Sequence, residues 1–159
     1  MTIAVGDRLP HTVVNVLRDG VQAMDTREIF AGRKVALFAV PGAFTPTCSA
    51  KHLPSFVRHM DAFRERGIAV ACMAVNDPFV MGAWARQQDV PADLMMLADG
   101  NGTFTAALGL EMDASAFGLG KRSKRFSLYA DDGVVKQLFI EGPGEYRVSS
   151  AEHLLAALA

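Results

Sequence analysis

Residues 34–75 read KVALFAVPGAFTPTCSAKHLPSFVRHMDAFRERGIAVACMAV. The first seven, 34–40, are almost wholly apolar, the pattern of a strand covered on both faces. Pro41-Gly42 closes that strand. Leu53, Phe56, Val57, Met60 and Phe63 then recur at the period of a helix packed on one side. Pro54 lies inside that pattern and predicts a kink, and Gly67 predicts the stop. Residues 68–75 form a second buried strand. Strand, helix and strand at these lengths predict a parallel pair joined by a crossover.

Working outward, the apolar run 13–17 ends in the turn signal Arg18-Asp19-Gly20. Downstream, Asp77 is placed to cap a helix whose first position is Pro78 and which runs past Trp84 to about Gln88. A short strand follows over 94–98 and a short helix over 103–108. Residues 124–130 and 134–140 flank Asp131-Asp132-Gly133, a hairpin signal. Ser149 and Glu152 form a capping box for a final helix over 151–158. The order predicts one α/β domain over residues 1–159, a central mixed sheet flanked by helices. A βαβ unit followed by a terminal hairpin and helix resembles the thioredoxin-like arrangement.

Composition narrows the function. The chain has 159 residues, 50% hydrophobic and 21% charged, with a net charge of −1. That is an ordinary globular balance. The one dense basic run, residues 121–125, is too short to argue for a nucleic-acid partner. No apolar run has membrane-spanning length, so no membrane association is expected. The opening MTIAVGDRLP lacks a signal-peptide pattern. Two cysteines do not make a disulfide scaffold, and free thiols suit a reducing compartment, so a cytoplasmic protein is expected.

Cys48 is placed where a helix begins, facing unpaired N–H groups and the positive end of the helix dipole. Both favour a thiolate. Its plain alternative is a small buried apolar residue. The neighbours argue for chemistry. The hydroxyl of Thr45, three residues earlier, can donate and accept. The N–H groups near Thr47 and Cys48 can hold an anion. Pro41 and Pro46 stiffen the loop, and Phe44 can exclude water. A dithiol exchange site would need a second cysteine at CxxC spacing, and Thr45 stands there. A thiolate beside a hydroxyl suits attack on an O–O bond, giving a sulfenic acid.

That attack needs a cation. In KRFSLYA, Arg125, Ser127 and Tyr129 share one strand face, and Arg125 is the candidate, with Arg122 second. A surface arginine beside Lys124 is the alternative reading. His52, four residues after Cys48, is read either as a general base or as a structural imidazole near the mouth. Cys72 lies inside a uniformly apolar run and is read as inert, with resolution of oxidised Cys48 as its alternative role. Phe117 and Leu119 line a mouth, form a dimer contact or fill the core, and Trp84 and Phe79 pack the second helix or border the site. No metal is expected, because Cys48 and His52 lack further ligands at metal-binding spacing. A thiol–disulfide oxidoreductase and a binding module on the same fold are the competing function classes.

PGAFTPTCSAKHLPSFV (41–57) closely resembles the active-site segment of the type 5, or type II, peroxiredoxins. The resemblance continues through ACMAVNDPFVMGAWARQ (71–87), DGNGTFTAALGL (99–110) and GLGKRSKRFSLYADDGVVK (118–136), nearly the whole chain. It implies a thiol-dependent peroxidase acting on hydrogen peroxide and small alkyl hydroperoxides, without a cofactor. By the same resemblance Cys48 is the peroxidatic cysteine, Thr45 orients the peroxide, Arg125 lies beside the sulfur and Pro41 is the active-site proline. Thr47, Phe44 and Phe117 are the expected substrate-contacting residues, with His52 and Cys72 as auxiliaries. Animal-type members carry a resolving cysteine near the C-terminus, where this chain reads GEYRVSSAEHLL. The likeness therefore implies an external reductant, glutathione with glutaredoxin or thioredoxin, and a homodimer.

Overall fold

The computed structural model describes residues 1–158. The described residues form nine strands and six α-helices. The strands are β1 (Val13–Leu17), β2 (Val21–Asp25), β3 (Lys34–Ala39), β4 (Ile68–Ala74), β5 (Leu94–Ala98), β6 (Glu111–Asp113), β7 (Lys121–Ser123), β8 (Phe126–Asp131) and β9 (Val134–Ile140). The helices are α1 (Thr26–Phe30), α2 (Leu53–Arg58), α3 (Met60–Glu65), α4 (Pro78–Gln87), α5 (Thr103–Leu108) and α6 (Ala151–Leu158). Seven strands form one mixed sheet in the order β2-β1-β5-β4-β3-β8-β9. The pairs β3–β4 and β4–β5 are parallel, while β3–β8 and β8–β9 are antiparallel. This is the thioredoxin-like α/β architecture expected from the sequence.

The sheet is covered on both faces, which is why β3 and β4 are apolar at every buried position. Val35, Leu37 and Ala39 turn to one face and pack with Phe30, Phe104 and Leu108. Ala36, Phe38 and Val40 turn to the other, beneath Leu53, Phe56, Phe63, Trp84 and Leu154. Strand alternation puts Cys72 on this second face, the one that also holds Cys48.

The crossover helix departs from the expected kink at Pro54. Pro54 stands in the first turn of α2, where its missing N–H costs nothing. The irregularity precedes it: residues Cys48–His52 form a π turn in which Leu53 N–H reaches back to the Cys48 carbonyl. The helix then breaks at His59 (φ −106°, ψ 13°), not at Pro54. There the ring Nδ1 takes the Ser55 carbonyl at 2.8 Å, displacing the backbone N–H that would otherwise bond it.

The strand β2 and the β6–β7 ladder were not expected. β2 is largely exposed and has no apolar run to announce it. β6 and β7 have only three residues each and enclose the 115–120 segment.

Candidate active site

The site is built at the end of β3, where the chain leaves the sheet at Val40 and turns. Ala43 N–H is fixed by Asn76 Oδ1 at 2.9 Å, a contact from the loop after β4. The turn brings Phe44 to φ +66°, the left-handed region that is uncommon for a bulky side chain. Thr45 Oγ1 donates to the Gly42 carbonyl at 2.6 Å, which leaves its oxygen lone pairs as acceptors. Arg122 straps the loop from the other side: Nη1 donates to the Pro41 carbonyl (3.3 Å) and Nε to the Leu119 carbonyl (2.9 Å). A Cβ at Gly42 would stand 2.7 Å from Arg122 Nη1, so a side chain there would push the end of Arg122 off the Pro41 carbonyl.

The first helical bond runs from Ser49 N–H to the Thr45 carbonyl at 3.0 Å. The N–H groups of Thr47 and Cys48 precede it in the first turn, where the helix supplies no acceptor behind them. Trp84, fully buried on α4, donates through Nε1 to Ser49 Oγ at 3.0 Å and ties down the turn that carries Cys48.

Arg125 enters just before β8 on the face predicted by alternation. Its Nη2 donates to Cys48 Sγ at 3.2 Å and its Nη1 meets His52 Nδ1 at 3.0 Å. The guanidinium also lies over the Tyr146 ring, 5.9 Å from its centroid. An arginine only donates, so His52 Nδ1 accepts. His52 Nε2 in turn meets the Ser149 carbonyl at 2.9 Å, and a carbonyl only accepts, so Nε2 carries the proton. Burial, reinforced by the Arg125 charge, lowers the His52 pKa to about 3. His52 is thus a neutral, fully enclosed imidazole with both nitrogens engaged. It does not stand at a mouth, and it has no free lone pair with which to act as a base.

Cys48 and Cys72 are both buried and unpaired. Cys72 lies mid-strand between Phe38 and Met96 of the neighbouring strands. Burial pushes its thiol pKa well up, and the nearby Cys48 adds to this, with Arg125 opposing. No positive group is bonded to it.

Beside Cys48 opens a pocket of about 560 Å³ whose wall includes Pro41, Thr45, Thr47, Phe117, Lys124 and Arg125. Leu119 joins this wall. Phe117 is a rim residue, 82% exposed. Phe44, half exposed, is not part of the wall, and Phe79 is exposed away from the core that Trp84 fills. Among the described residues, no three His, Cys, Asp or Glu side chains gather into a metal-binding group, and no helix is long and apolar enough to cross a membrane. Sequence reasoning missed Tyr146 and Glu141, which come from the loop after β9. That loop reads EGPGEYRVSS and carries no motif that would single them out.

Residues 4–155 match the redoxin family model. The chain is 51% identical over 164 residues to the chloroplastic peroxiredoxin-2E-2 of Oryza sativa subsp. japonica, covering 99% of this chain and 73% of that protein. It is 47% identical over 163 residues to the chloroplastic peroxiredoxin-2E of Arabidopsis thaliana, covering 99% and 70%. The crystal structure of reduced Prx3 in complex with H2O2 from Vibrio vulnificus is similar with a TM-score of 0.95 and 46% identity, covering 99% of this chain and 100% of that one. The two plant relatives correct the expectation of a cytoplasmic protein, since both are chloroplastic. Free thiols call for reducing surroundings, a condition that does not name a compartment. With its fold, its buried thiol and these relatives in agreement, the chain belongs to the redoxin family as a peroxiredoxin, a thiol peroxidase close to the type II members of plants and bacteria.

Proposed function

We propose that Cys48 is the peroxidatic nucleophile, that Thr45 and Arg125 hold the peroxide, and that hydrogen peroxide and small alkyl hydroperoxides are the substrates. The observation that carries this is the Arg125 contact to the Cys48 sulfur at 3.2 Å, a fixed positive charge on the one thiol at a helix start. The thiolate attacks one peroxide oxygen. An S–O bond forms, the O–O bond breaks, and the other oxygen leaves as water or an alcohol once protonated. Sulfur is oxidised by two electrons and the peroxide is reduced. Charge spreads over both oxygens in the transition state, and the Arg125 fork and the Thr47 and Cys48 N–H groups face that charge. Thr45, its own hydrogen given to Gly42, accepts the peroxide O–H. Pro41 and Thr47 wall the approach, with Phe117 at its rim.

A small thiol then attacks the sulfenic acid, releasing water and leaving a mixed disulfide, and a second thiol frees Cys48. Cys72 is mid-strand with a thiol pushed toward the protonated form, which supports an external reductant over an internal disulfide. Glutathione with glutaredoxin, or thioredoxin, fits this step, and the enzyme works as a one-domain homodimer with the exposed Phe44 and Phe79 available to a second copy.

The test is a titration of reduced protein with one equivalent of hydrogen peroxide, followed by mass spectrometry. One added oxygen on Cys48 is expected, reversed on adding glutathione and glutaredoxin or thioredoxin. A Cys48 left unmodified while peroxide is consumed would sink the assignment.

A further inference from the structure

The Arg125 fork needs something to hold it, and the loop after β9 supplies a continuous path. Glu141 follows β9 directly and is buried. Its carboxylate accepts N–H bonds from Arg147 (2.8 Å), Val148 (2.9 Å) and Ser149 (2.9 Å), and the Ser149 hydroxyl at 2.7 Å. Burial works against the Glu141 charge, but the Ser149 hydroxyl and these three N–H groups together hold its pKa below the usual carboxylate range. The loop is thereby wrapped around one oxygen pair, and its shape is set by it.

That shape has a consequence at Ser149. The residue whose N–H and hydroxyl are held by Glu141 presents its carbonyl, one peptide further on, to His52 Nε2 at 2.9 Å. Because the carbonyl demands the proton on Nε2, Nδ1 is left as a lone pair aimed at Arg125 Nη1 (3.0 Å). With Nη1 on His52, the planar fork carries Nη2 onto Cys48 Sγ at 3.2 Å. The strands reinforce this alignment, since Glu141 N–H donates to the Arg125 carbonyl at 2.9 Å. Glu141 is also one of three carboxylates in the wall of the pocket that Arg125 lines, with Asp113 and Glu145. Its commitment to residues 147–149 leaves the fork to the sulfur and the peroxide.

We propose that Glu141 is a positioning residue for peroxide reduction, acting through the Ser149 carbonyl and the His52 tautomer to aim Arg125 at Cys48. This rests on the reading of Cys48 and Arg125 given above. The residue touches neither sulfur nor substrate, and its effect is transmitted through the chain of bonds.

The test is the rate constant for Cys48 oxidation by hydrogen peroxide in wild type, Glu141→Gln, Arg125→Ala and the double variant. Glu141→Gln alone is expected to slow oxidation about 10- to 100-fold, the scale of a misaimed catalytic group. In the Arg125→Ala background it should add almost nothing, because the group it aims is gone. Additive losses would mean general damage and would overturn the proposal. An unimpaired Arg125→Ala variant would instead remove Arg125 from the chemistry, a distinct failure of the underlying reading. Should Glu141→Gln not fold, nitrogen-15 NMR of the wild type decides on its own. His52 must be neutral with its proton on Nε2 at pH 7, and a proton on Nδ1 would break the path at its centre.

Discussion

Two cysteines face the same side of one sheet, both fully buried and both free, yet their surroundings make them opposites. Cys72 is held inside β4 by two flanking strands, and no charge is bonded to it. Cys48 lies just beyond the end of β3, where the backbone changes from strand to helix. That transition leaves N–H groups without acceptors and opens space for Arg125. Burial is therefore the same for the proposed nucleophile and for the thiol read as inert. What distinguishes them is whether the backbone around the sulfur is still available to hold charge. The strand interior has used all its donors in ladders, whereas the helix start has not.

The comparison breaks most directly by deleting each sulfur. Cys48→Ser should abolish peroxide consumption measured with a thiol donor, while Cys72→Ser should keep most of it. Loss of activity in the second variant would mean Cys72 takes part in turnover. Next in size is the charge on Cys48. Arg125→Ala should slow Cys48 oxidation by about 10²- to 10³-fold, the range for losing a donor to developing charge. Arg125→Lys should recover only part, since an ammonium cannot bond His52 and the sulfur in one plane.

A third expectation concerns pH. The His52 pKa falls from its ordinary 6.5 to about 3 in the folded protein. Below pH 6.5 the unfolded chain takes up a proton that the folded chain refuses, so stability falls as pH drops from 6.5 toward 3. The loss is about 1.4 kcal/mol per pH unit. Glu141, with its pKa depressed, has the opposite charge but the same trend. Its stabilisation is intact above the ordinary carboxylate range and disappears as pH falls through its folded value. Urea unfolding at pH 7 and pH 4.5 should show the loss in wild type and a smaller one in His52→Asn. Equal losses would mean other groups carry the acid sensitivity. The smallest effect is at Thr45. Thr45→Val should remove the proposed neutral hydrogen bond to the peroxide, worth about tenfold in oxidation rate, with stability little changed. An unchanged rate would leave Thr45 as a loop fixture bonded to Gly42.

Much of this site was legible in the chain. Proline, threonine and cysteine within 41–48 mark a stiff loop feeding a helix, and period-two alternation put Arg125 opposite Phe126 and Leu128. The face of Cys72 was not legible, because every residue around it is apolar and alternation leaves no contrast. The break at His59 was hidden for a different reason. It depends on a ring nitrogen capturing a backbone carbonyl, an event that helix periodicity does not register. The role of His52 was likewise open, since its partners lie 73 and 97 positions away in Arg125 and Ser149.

The sequence by itself determined the strand–loop–helix that presents Cys48, because local propensity, proline stiffness and helix-start geometry act over a few neighbouring residues. It also determined that the second thiol of a CxxC pair is missing, because spacing is a property of the chain. Only the tertiary structure decided which cation reaches the sulfur, which nitrogen of His52 carries the proton, and that Glu141 and Tyr146 enclose them. Those outcomes depend on the β8–β9 hairpin laying its following loop against the crossover helix. The contacts it makes join residues far apart in sequence, and no local pattern records them.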